Sequence, residues 1–274
     1  MDYVTAYSLL KTEEKFGVVK TGCMKLDELC GGGIPIGQLT EIVGEAGVGK
    51  TQLCMQLSVY AQLLGDGTRC TVDRPKVAYL DCEGDFNTKR LHEILGNSLK
   101  EAPPSASSCH SHNVDSLMDG ILYMNCPGYV ELTAAVHKLD ALSHAQNVRL
   151  VIVDSIATHI RQMYESGKQR NRVILAILEE LCRLALHRRI AVVLTNQVTT
   201  RFFGGDSEGY LAAALGETLA HFCSNRLYLL RDESSGCRWA RLFKSSFLPD
   251  TVVPFVVTRG GIRDVPEETD DNPN

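Results

Sequence analysis

The sequence predicts an α/β fold in which a mostly parallel central sheet is flanked by helices, and three stretches of the chain support this. Residues 39–43 form a short apolar run, followed by a glycine-rich turn and a helical segment with one apolar face. Residues 149–154 are a continuous apolar run that ends in a carboxylate, which is typical of a buried parallel strand. Residues 77–81 form a third run of this kind.

Other patterns extend this fold. A chain of 274 residues, of which 44% are hydrophobic, is expected to form one large domain with a sizeable core. A helix that starts near Asn171 should bury one apolar side and lead into a strand at 190–195. The remaining expected elements are a helix at 4–15, an extended segment at 16–23 outside the sheet, a strand at 121–126, a helix at 128–145, and strands at 225–231, 237–243 and 252–258 as an antiparallel extension of the core.

A phosphate-binding loop is predicted between the first strand and its helix, where the chain satisfies G-x-x-x-x-G-K-[ST]. Glycines let the backbone curl around phosphate with its N–H groups pointing inward, where a Cβ would obstruct the approach. Lys50 opens the helix and can reach the β- and γ-phosphates. The residues expected to bind nucleotide are Gly44, Glu45, Ala46, Gly47, Val48, Gly49, Lys50, Thr51 and Gln52.

Two oxygen donors are candidates for Mg²⁺. The Thr51 hydroxyl follows the loop lysine and can bind the ion directly. Asp154 ends a strand at the sheet edge where open α/β folds bind ligands, so it can hold the ion through water. A strand-ending aspartate can also cap the next helix, but the paired phosphate loop favours the metal role.

Glu83 is the candidate for polarising a water molecule. It follows the strand at 77–81, and a carboxylate in that position can take a proton from water that attacks the γ-phosphate. The position alone does not distinguish this role from that of a solvated loop acid.

Composition limits the function classes. The net charge of −5 means that nucleic-acid binding must come from local basic segments. Ten cysteines without a C-x-x-C pair indicate reduced, mostly buried thiols of an intracellular protein. Cys109, His110 and His112 lack a second ligand pair, so structural zinc is not expected. Since no apolar run is long enough to cross a bilayer, we expect a soluble protein without membrane contact.

Two local segments could bind DNA. Residues 161–172 carry several cations before a helix, and residues 199–209 place aromatic side chains beside an arginine between glycines. Such a pattern suits phosphate contacts and stacking with unpaired bases. A solvated helix start and a mobile glycine loop remain alternative interpretations. The candidate DNA-binding residues are Arg161, Lys168, Arg170, Arg172, Arg201, Phe202 and Phe203.

Four motifs, in addition to the phosphate loop, carry a resemblance to a known family. They are T-G at 21–22 with G-G-G-I-P at 31–35, L-D-C-E-G-D-F at 80–86, V-I-V-D-S at 151–155 and L-T-N-Q at 194–197. Together they resemble the ATPase core of the eukaryotic RecA-like recombinases over nearly the whole chain. Residues 125–132 and 214–218 are most similar to the C-type paralogue of that family.

The resemblance implies a RecA-like P-loop ATPase that binds ATP and Mg²⁺ and hydrolyses ATP weakly in a DNA-dependent way. It implies a nuclear protein that acts on single-stranded or junction DNA in homologous recombination and double-strand break repair. The expected partners are other RecA-like recombinase paralogues and the main strand-exchange recombinase, which such paralogues assist. Two alternatives are a self-sufficient strand-exchange recombinase and an ATP-bound scaffold that barely contacts DNA.

The resemblance also assigns roles to individual residues. Gln197 matches a residue that senses the γ-phosphate and relays it to the second DNA loop, Glu83 matches the hydrolytic carboxylate, and Arg90 matches an arginine that packs on adenine. Segments 161–172 and 198–214 match the family's two DNA-binding loops.

Four further residues match subunit contacts of the family. Tyr3 and Ala6 fall in a segment that links subunits, with tyrosine in place of the usual phenylalanine. Pro249 lies in a segment that covers ATP bound to a neighbouring subunit. Lys244 stands where the recombinase has an acid, so it either contacts the γ-phosphate across the interface or is an exposed lysine at a strand end.

The chain is therefore expected to have a linking segment at 1–20, an ATPase core at 21–264, a disordered insertion at 97–115 and a polar tail at 265–274. Since the linking segment falls so close to residue 1, we expect a fragment or short form without the family's small N-terminal helical domain.

Overall fold

The computed structural model of this chain describes residues 4–13, 16–63, 74–101, 113–162, 167–202, 209–232 and 234–266. In chain order their strands are β1 (Val18–Val19), β2 (Ile34–Pro35), β3 (Leu39–Gly44), β4 (Lys76–Asp81), β5 (Ile121–Asn125), β6 (Val148–Asp154), β7 (Ala191–Phe202), β8 (Gly209–Ala213), β9 (Asn225–Arg231), β10 (Arg238–Lys244), β11 (Val252–Thr258) and β12 (Gly261–Asp264). Their helices are α1 (Ala6–Glu13), α2 (Met24–Leu29), α3 (Lys50–Leu63), α4 (Thr88–Glu101), α5 (Val114–Met118), α6 (Tyr129–Gln146), α7 (Ile156–Gln162), α8 (Gly167–Arg188) and α9 (Gly216–Phe222).

One mixed sheet forms the centre of the described residues. Its order is β12-β11-β10-β9-β3-β7-β6-β4-β5, and β8 adds to β7 as the second arm of a hairpin. Strands β9, β3, β7, β6, β4 and β5 run parallel, whereas β10, β11 and β12 continue the sheet in antiparallel fashion. The predicted fold class, a mostly parallel sheet with helices and an antiparallel C-terminal extension, is confirmed.

Burial on both faces explains why the central strands are continuously apolar. In β6, Leu150 and Ile152 belong to the core that contains α3, whereas Val151 and Val153 belong to the core that contains α6 and α8. Because successive side chains of a strand point to opposite faces, a strand covered on both sides needs no polar alternation.

The parallel strands bring their C-terminal ends to one edge. Gly44 of β3 is in register with Gln197 of β7, and Asp81 of β4 is in register with Asp154 of β6. Polar residues that are far apart in the sequence therefore meet beside the turn that joins β3 to α3.

The antiparallel extension begins one strand later than expected. Strand β9, which the sequence analysis placed in the antiparallel part, is parallel to β3. The physical reason is the connection: α9 carries the chain from the β7–β8 hairpin back before β9 starts, so β9 returns in the same direction. The short strand β12 was not predicted.

The expected disordered insertion at 97–115 is wrong at both of its ends. Helix α4 continues to Glu101, and α5 begins at Val114. Ile94, Leu95 and Leu117 are buried in one apolar cluster, which stabilises both helices. Residues 102–112 lie outside the described residues, as do residues 267–274 of the expected tail.

The described cysteines are free thiols, and Cys237 is the exposed one among them. The buried ones are Cys23, Cys30, Cys54, Cys82, Cys126 and Cys223. This agrees with the expectation of mostly buried thiols, although Cys70 and Cys109 lie outside the described residues. Across the described ranges, no helix combines the length and the apolar character needed to cross a bilayer.

Candidate functional site: a nucleotide site at the strand ends

The turn between β3 and α3 has the backbone of a phosphate-binding loop. Gly47 and Gly49 adopt φ angles of 75° and 123°, which side chains with a Cβ rarely adopt. Helix α3 begins at Lys50, so its first N–H groups point toward the inside of the loop. The sequence prediction of a strand, a glycine turn and a helix is confirmed, and the arrangement is suited to an anion.

Lys50 lies across this loop. Its Nζ donates to the carbonyls of Gly44 and Glu45, both at 2.9 Å. Burial lowers the pKa of Lys50, whereas the charges of Asp154 and Glu83 act to raise it. The ammonium group therefore lies close to both carboxylates that the sequence analysis selected.

Asp154 is a buried carboxylate held by several hydroxyl groups. It accepts hydrogen bonds from Thr195 Oγ1 at 2.5 Å and from Tyr79 Oη at 2.8 Å. Burial raises the pKa of Asp154, and the hydrogen bonds from Thr195, Tyr79 and Thr51 oppose that shift. Thr51 and Asp154, predicted from separate motifs, are thus in contact.

These two side chains suit a hard divalent cation. A hydroxyl and a carboxylate are oxygen ligands, and Mg²⁺ takes few protein ligands because it keeps water and substrate phosphates in its shell. A cluster of three or more potential metal-binding side chains is absent from the described part of the chain. The donor set therefore fits Mg²⁺ better than structural zinc.

Glu83 is held more tightly than a solvated loop acid. Its Oε1 accepts hydrogen bonds from Ser155 Oγ at 2.6 Å, from Thr158 Oγ1 and from Gln197 Nε2 at 2.9 Å. Burial acts to raise the pKa of Glu83, but these three hydrogen bonds and the charge of Lys50 outweigh it, so the pKa lies below its usual value. Glu83 is therefore an ionised, positioned carboxylate.

Gln197 connects this carboxylate to the β7–β8 hairpin. It lies in β7 opposite Gly44 of the phosphate loop, and the strand continues beyond it to Phe202. The hairpin is closed by antiparallel pairing of residues 198–202 with residues 209–213. A movement of the Gln197 side chain can thus be transmitted to the hairpin through the backbone of β7.

Arg90 fixes the start of α3 to the end of β11. Its Nε donates to Gln52 Oε1 at 2.7 Å, and its Nη1 donates to the Arg259 carbonyl at 2.7 Å. Its Nη2 donates to the Thr258 carbonyl. Since all three nitrogens of the guanidinium group are engaged, the plane of the group is held in a fixed orientation.

The segments expected to be DNA-binding loops are mostly regular structure, which corrects the sequence analysis. Helix α7 extends to Gln162 and α8 starts at Gly167, so the backbone of Arg161, Lys168, Arg170 and Arg172 is helical. Arg172 is exposed and Arg170 half-buried. The apolar face of α8 packs against α6 from Val173 onward, and the helix extends beyond this face to Gly167.

The second expected loop is largely a β-hairpin. Residues 199–202, including Arg201 and Phe202, belong to β7, and residues 209–213 form β8. A mobile glycine loop over the whole of 199–209 is therefore wrong. Phe203 lies outside the described residues.

The structure describes three of the four residues expected to contact other subunits. Tyr3 lies outside the described residues, whereas Ala6 is the exposed first residue of α1. Pro249 is exposed and follows Phe247, whose exposure is 65%. Lys244 is not an exposed lysine: its Nζ donates to the carbonyls of Ala220 and Cys223, at 2.7 and 2.8 Å, at the C-terminal end of α9.

Sequence reasoning missed the hydroxyl groups that position the two carboxylates. Ser155 lies between β6 and α7, Thr158 lies in the first turn of α7, and Thr195 precedes Gln197 by two residues in β7. The position of Thr195 offered a signal, because alternation along a strand places it on the same face as Gln197. Tyr79 offered none, since its partner Asp154 depends on the strand order.

A groove of about 550 Å³ was also missed. It runs from Glu45 of the phosphate loop past the hairpin and α9 to the outer face of β9 and β10. Arg226, whose Nε donates to the buried carboxylate of Glu41, lies over the rings of Tyr228 and Phe243 in this groove. The groove thus joins the nucleotide site to the hairpin through a cationic and aromatic surface.

Comparisons with known proteins identify the family of this chain. A family model described as Rad51 matches residues 13–265. The chain is similar to the DNA repair protein RAD51 homolog 3 of Cricetulus griseus, with 35% identity over 95% of this chain and 72% of the relative. It is 30% identical to the protein of the same name from Dictyostelium discoideum, over 89% of this chain and 65% of the relative.

An archaeal relative extends the comparison. The DNA repair and recombination protein RadA of Aeropyrum pernix is 34% identical over 96% of this chain and 78% of the relative. The predicted resemblance to RecA-like recombinases, and to the C-type paralogue among them, is confirmed. The chain belongs to the Rad51 family.

Proposed function

We propose that this protein is an ATP-dependent DNA-binding recombination paralogue that acts in homologous recombination and double-strand break repair. It works in a complex that assists the main strand-exchange recombinase. The observation that carries the proposal is the hydrogen bond of 2.9 Å between Gln197 and Glu83, since it joins the nucleotide site to the hairpin. The names of the most similar relatives support a repair role, and a self-sufficient recombinase is not favoured.

The nucleotide is held by groups of different kinds. The N–H groups of the phosphate loop and the N-terminus of α3 bind the phosphates, and Lys50 turns from the loop carbonyls to the β- and γ-phosphates. Arg90 presents the flat side of its guanidinium group to the adenine ring, because its N–H groups are already engaged. Thr51, and Asp154 through water, would hold Mg²⁺, which would supply positive charge beside the phosphates.

Glu83 acts as the base for the attacking water, and its environment accounts for weak hydrolysis. The lowered pKa keeps the carboxylate ionised at neutral pH, so it can accept a proton. Because a general base is most effective when its pKa lies near the working pH, the same shift makes Glu83 a poor base. The rate of ATP hydrolysis is therefore expected to be low even when ATP is bound.

DNA is bound by the cations before and at the start of α8 and by the hairpin. Arg172 is exposed on the first turns of α8, and Arg201 and Phe202 are carried by the end of β7. Cations neutralise phosphates of the strand, and aromatic rings stack on its bases. Such local contacts are compatible with the net charge of −5.

Partner subunits bind through exposed apolar groups of α1 and of the segment between β10 and β11. Helix α1 exposes Tyr7 and Leu10 by 68% and 50%. Phe247 and Pro249 are exposed between β10 and β11, where they can cover ATP held by a neighbour. Lys244 contributes to that interface by stabilising the end of α9 rather than by meeting phosphate directly. The nucleus is the expected site of action.

The proposal is tested by removing the Gln197 side chain. Gln197→Ala should leave ATP affinity unchanged, while single-stranded DNA no longer alters the rate of hydrolysis and ATP no longer alters DNA affinity. Gln146→Ala is the matched control, since Gln146 accepts a hydrogen bond from Lys76 far from the site. If ATP binding and DNA binding still affect each other in the Gln197 variant, the proposed connection is wrong. If the protein is an ATP-bound scaffold, the parent itself should show negligible DNA affinity.

A further inference from the structure

Cys82 and Cys126 lie side by side at the edge of the nucleotide site. They follow β4 and β5, which are parallel neighbours whose last register pair is Asp81 with Asn125. The ladder continues past this pair, because the Cys126 N–H donates to the Asp81 carbonyl at 2.8 Å. The two cysteines are therefore the next residues opposite each other in the sheet.

Both side chains point to the same face. Alternation places Cys82 with Leu80 and Cys126 with Met124, and all four residues belong to one apolar cluster. The Cys126 thiol donates to the Met124 carbonyl at 3.7 Å, and its pairing with the Cys82 thiol raises the pKa of Cys82 and lowers the pKa of Cys126. Neighbouring strands lie about 4.8 Å apart, within the range of about 4.4–6.8 Å that disulfides span between Cα atoms.

We propose that Cys82 and Cys126 form a redox modification site, which hydrogen peroxide converts to an intramolecular disulfide and a dithiol reductant restores. The site goes beyond ATP and DNA binding, and neither thiol has a role in the proposed mechanism. Two cysteines that lie opposite each other on neighbouring strands and belong to one apolar cluster need little backbone movement to be joined.

The reaction balances with peroxide as the only oxidant. The Cys126 sulfur reacts first, because pairing with the Cys82 thiol lowers the pKa of its thiol, although burial opposes this. It attacks one peroxide oxygen, the O–O bond breaks, and sulfenic acid and water result. The Cys82 sulfur then attacks the sulfenic sulfur, the S–S bond forms and the S–O bond breaks. The two thiol protons leave in the two water molecules.

Access favours a small oxidant. The exposed fractions of Cys82 and Cys126 are only 5% and 1%. Each is nevertheless followed by an exposed residue, Glu83 and Pro127, and β5 is the edge strand of the sheet. Hydrogen peroxide can enter at such an edge, whereas a protein or a glutathione molecule cannot reach the sulfurs without local opening.

The disulfide should also affect the nucleotide site, and this consequence rests on the proposed function. Cys82 immediately precedes Glu83, whose Oε1 is bound by Ser155, Thr158 and Gln197. Drawing the Cys82 sulfur toward β5 rotates the backbone that carries Glu83. We expect the hydrogen bonds to Glu83 to weaken and ATP hydrolysis to be lost reversibly.

The modification is tested on the unmutated protein by peroxide treatment, alkylation under denaturing conditions, digestion and mass spectrometry. The expected product is a peptide pair joined through Cys82 and Cys126, which disappears after dithiothreitol. Cys237 is the internal control, because it is the most exposed of the described cysteines. Oxidation of Cys237 with both Cys82 and Cys126 still alkylated as free thiols would overturn the proposal, as would oxidation of Cys126 without a cross-link.

Turnover gives a second, separable readout. Parent protein should lose hydrolysis on oxidation and regain it on reduction, whereas Cys126→Ala and Cys82→Ala should respond to neither treatment. A mapped cross-link with unchanged turnover would contradict the effect on Glu83 but support the modification site. If the reduced protein does not hydrolyse ATP, the proposed enzymatic role fails, and the cross-link map still decides whether the pair is oxidised.

Discussion

The nucleotide site and the segments expected to bind DNA differ in what holds their side chains. Asp154 and Glu83 each accept several hydrogen bonds, and their partners come from neighbouring strands and from the turn that follows β6. Arg172 and Phe202, by contrast, are carried by a helix start and a hairpin arm that project from the sheet. The described contacts thus organise the first region without a ligand, and under the proposed function the second region gains contacts when DNA binds.

The difference has an electrostatic counterpart. In the nucleotide site, burial and hydrogen bonds change the pKa of Lys50, Glu83 and Asp154, so each protonation state is set by the fold. Arg172, in contrast, is exposed, and salt screens the charge of an exposed side chain. Substitutions in the two regions should therefore differ in size and in their dependence on salt and pH.

We expect the largest effect for Glu83→Gln. If Glu83 behaved like a surface acid in this test, the contrast between the nucleotide site and the DNA segments would not hold. The amide keeps the shape of the side chain but cannot accept a proton, so hydrolysis should fall by about 10²-fold or more. ATP affinity, measured by calorimetry, should remain that of the parent. Glu131→Gln, an exposed glutamate on α6, is the control and should hydrolyse ATP normally. An unaltered turnover in Glu83→Gln would make Glu83 a bystander.

Lys50→Ala tests nucleotide binding directly. The substitution removes the charge that faces the β- and γ-phosphates, and loss of such a charged hydrogen bond costs roughly 3 kcal/mol, about a hundredfold in affinity. Lys76→Ala is a suitable control, because Lys76 is also half-buried and hydrogen-bonded, to Gln146 at 2.6 Å. Equal ATP affinity in Lys50→Ala and the parent would remove the phosphate loop from the proposed mechanism.

The pH dependence of Mg²⁺ binding sharpens the comparison. Burial raises the pKa of Asp154, and the carboxylate must be ionised to hold the cation. Affinity for Mg²⁺ with nucleotide should therefore fall as the pH is lowered, by about tenfold per pH unit below that pKa. Thr195→Val removes a hydrogen bond to the ionised form, so it should raise the pKa further and move the loss to higher pH.

The control for this series is Thr133→Val, which removes a hydroxyl that donates to the Tyr129 carbonyl at 2.7 Å on α6. It should follow the parent at every pH. Superimposable Mg²⁺ titrations for Thr195→Val and the parent would show that Asp154 does not control metal binding.

The same contrast explains what the sequence could predict. Lys50, Thr51 and Asp154 were identified because a phosphate loop and an apolar strand with a terminal carboxylate impose local patterns. Tyr79 could not be assigned to Asp154, because that contact depends on β4 lying next to β6. The start of α8 and the β7–β8 hairpin were predicted as loops, because charged and glycine-rich residues resemble loop composition when their packing partners are unknown.

The smallest effects are expected for substitutions in the DNA segments, and they distinguish these segments most clearly from the nucleotide site. Lys168→Ala removes one cation near the start of α8, so the slope of log affinity for single-stranded DNA against log salt should flatten by about 0.7. Phe203→Ala, in contrast, removes a stacking ring and should cost roughly 1–3 kcal/mol with little change in slope.

Lys138→Ala, an exposed lysine on α6, is the matched control and should leave both the DNA affinity and the salt slope unchanged. Titrations at several salt concentrations with ATP present measure them. Because none of the three residues belongs to the nucleotide site, ATP affinity measured without DNA should be the same in all three variants. If Lys168→Ala and Phe203→Ala both retain the parental affinity and slope, these segments do not bind DNA, and the protein is an ATP-bound scaffold.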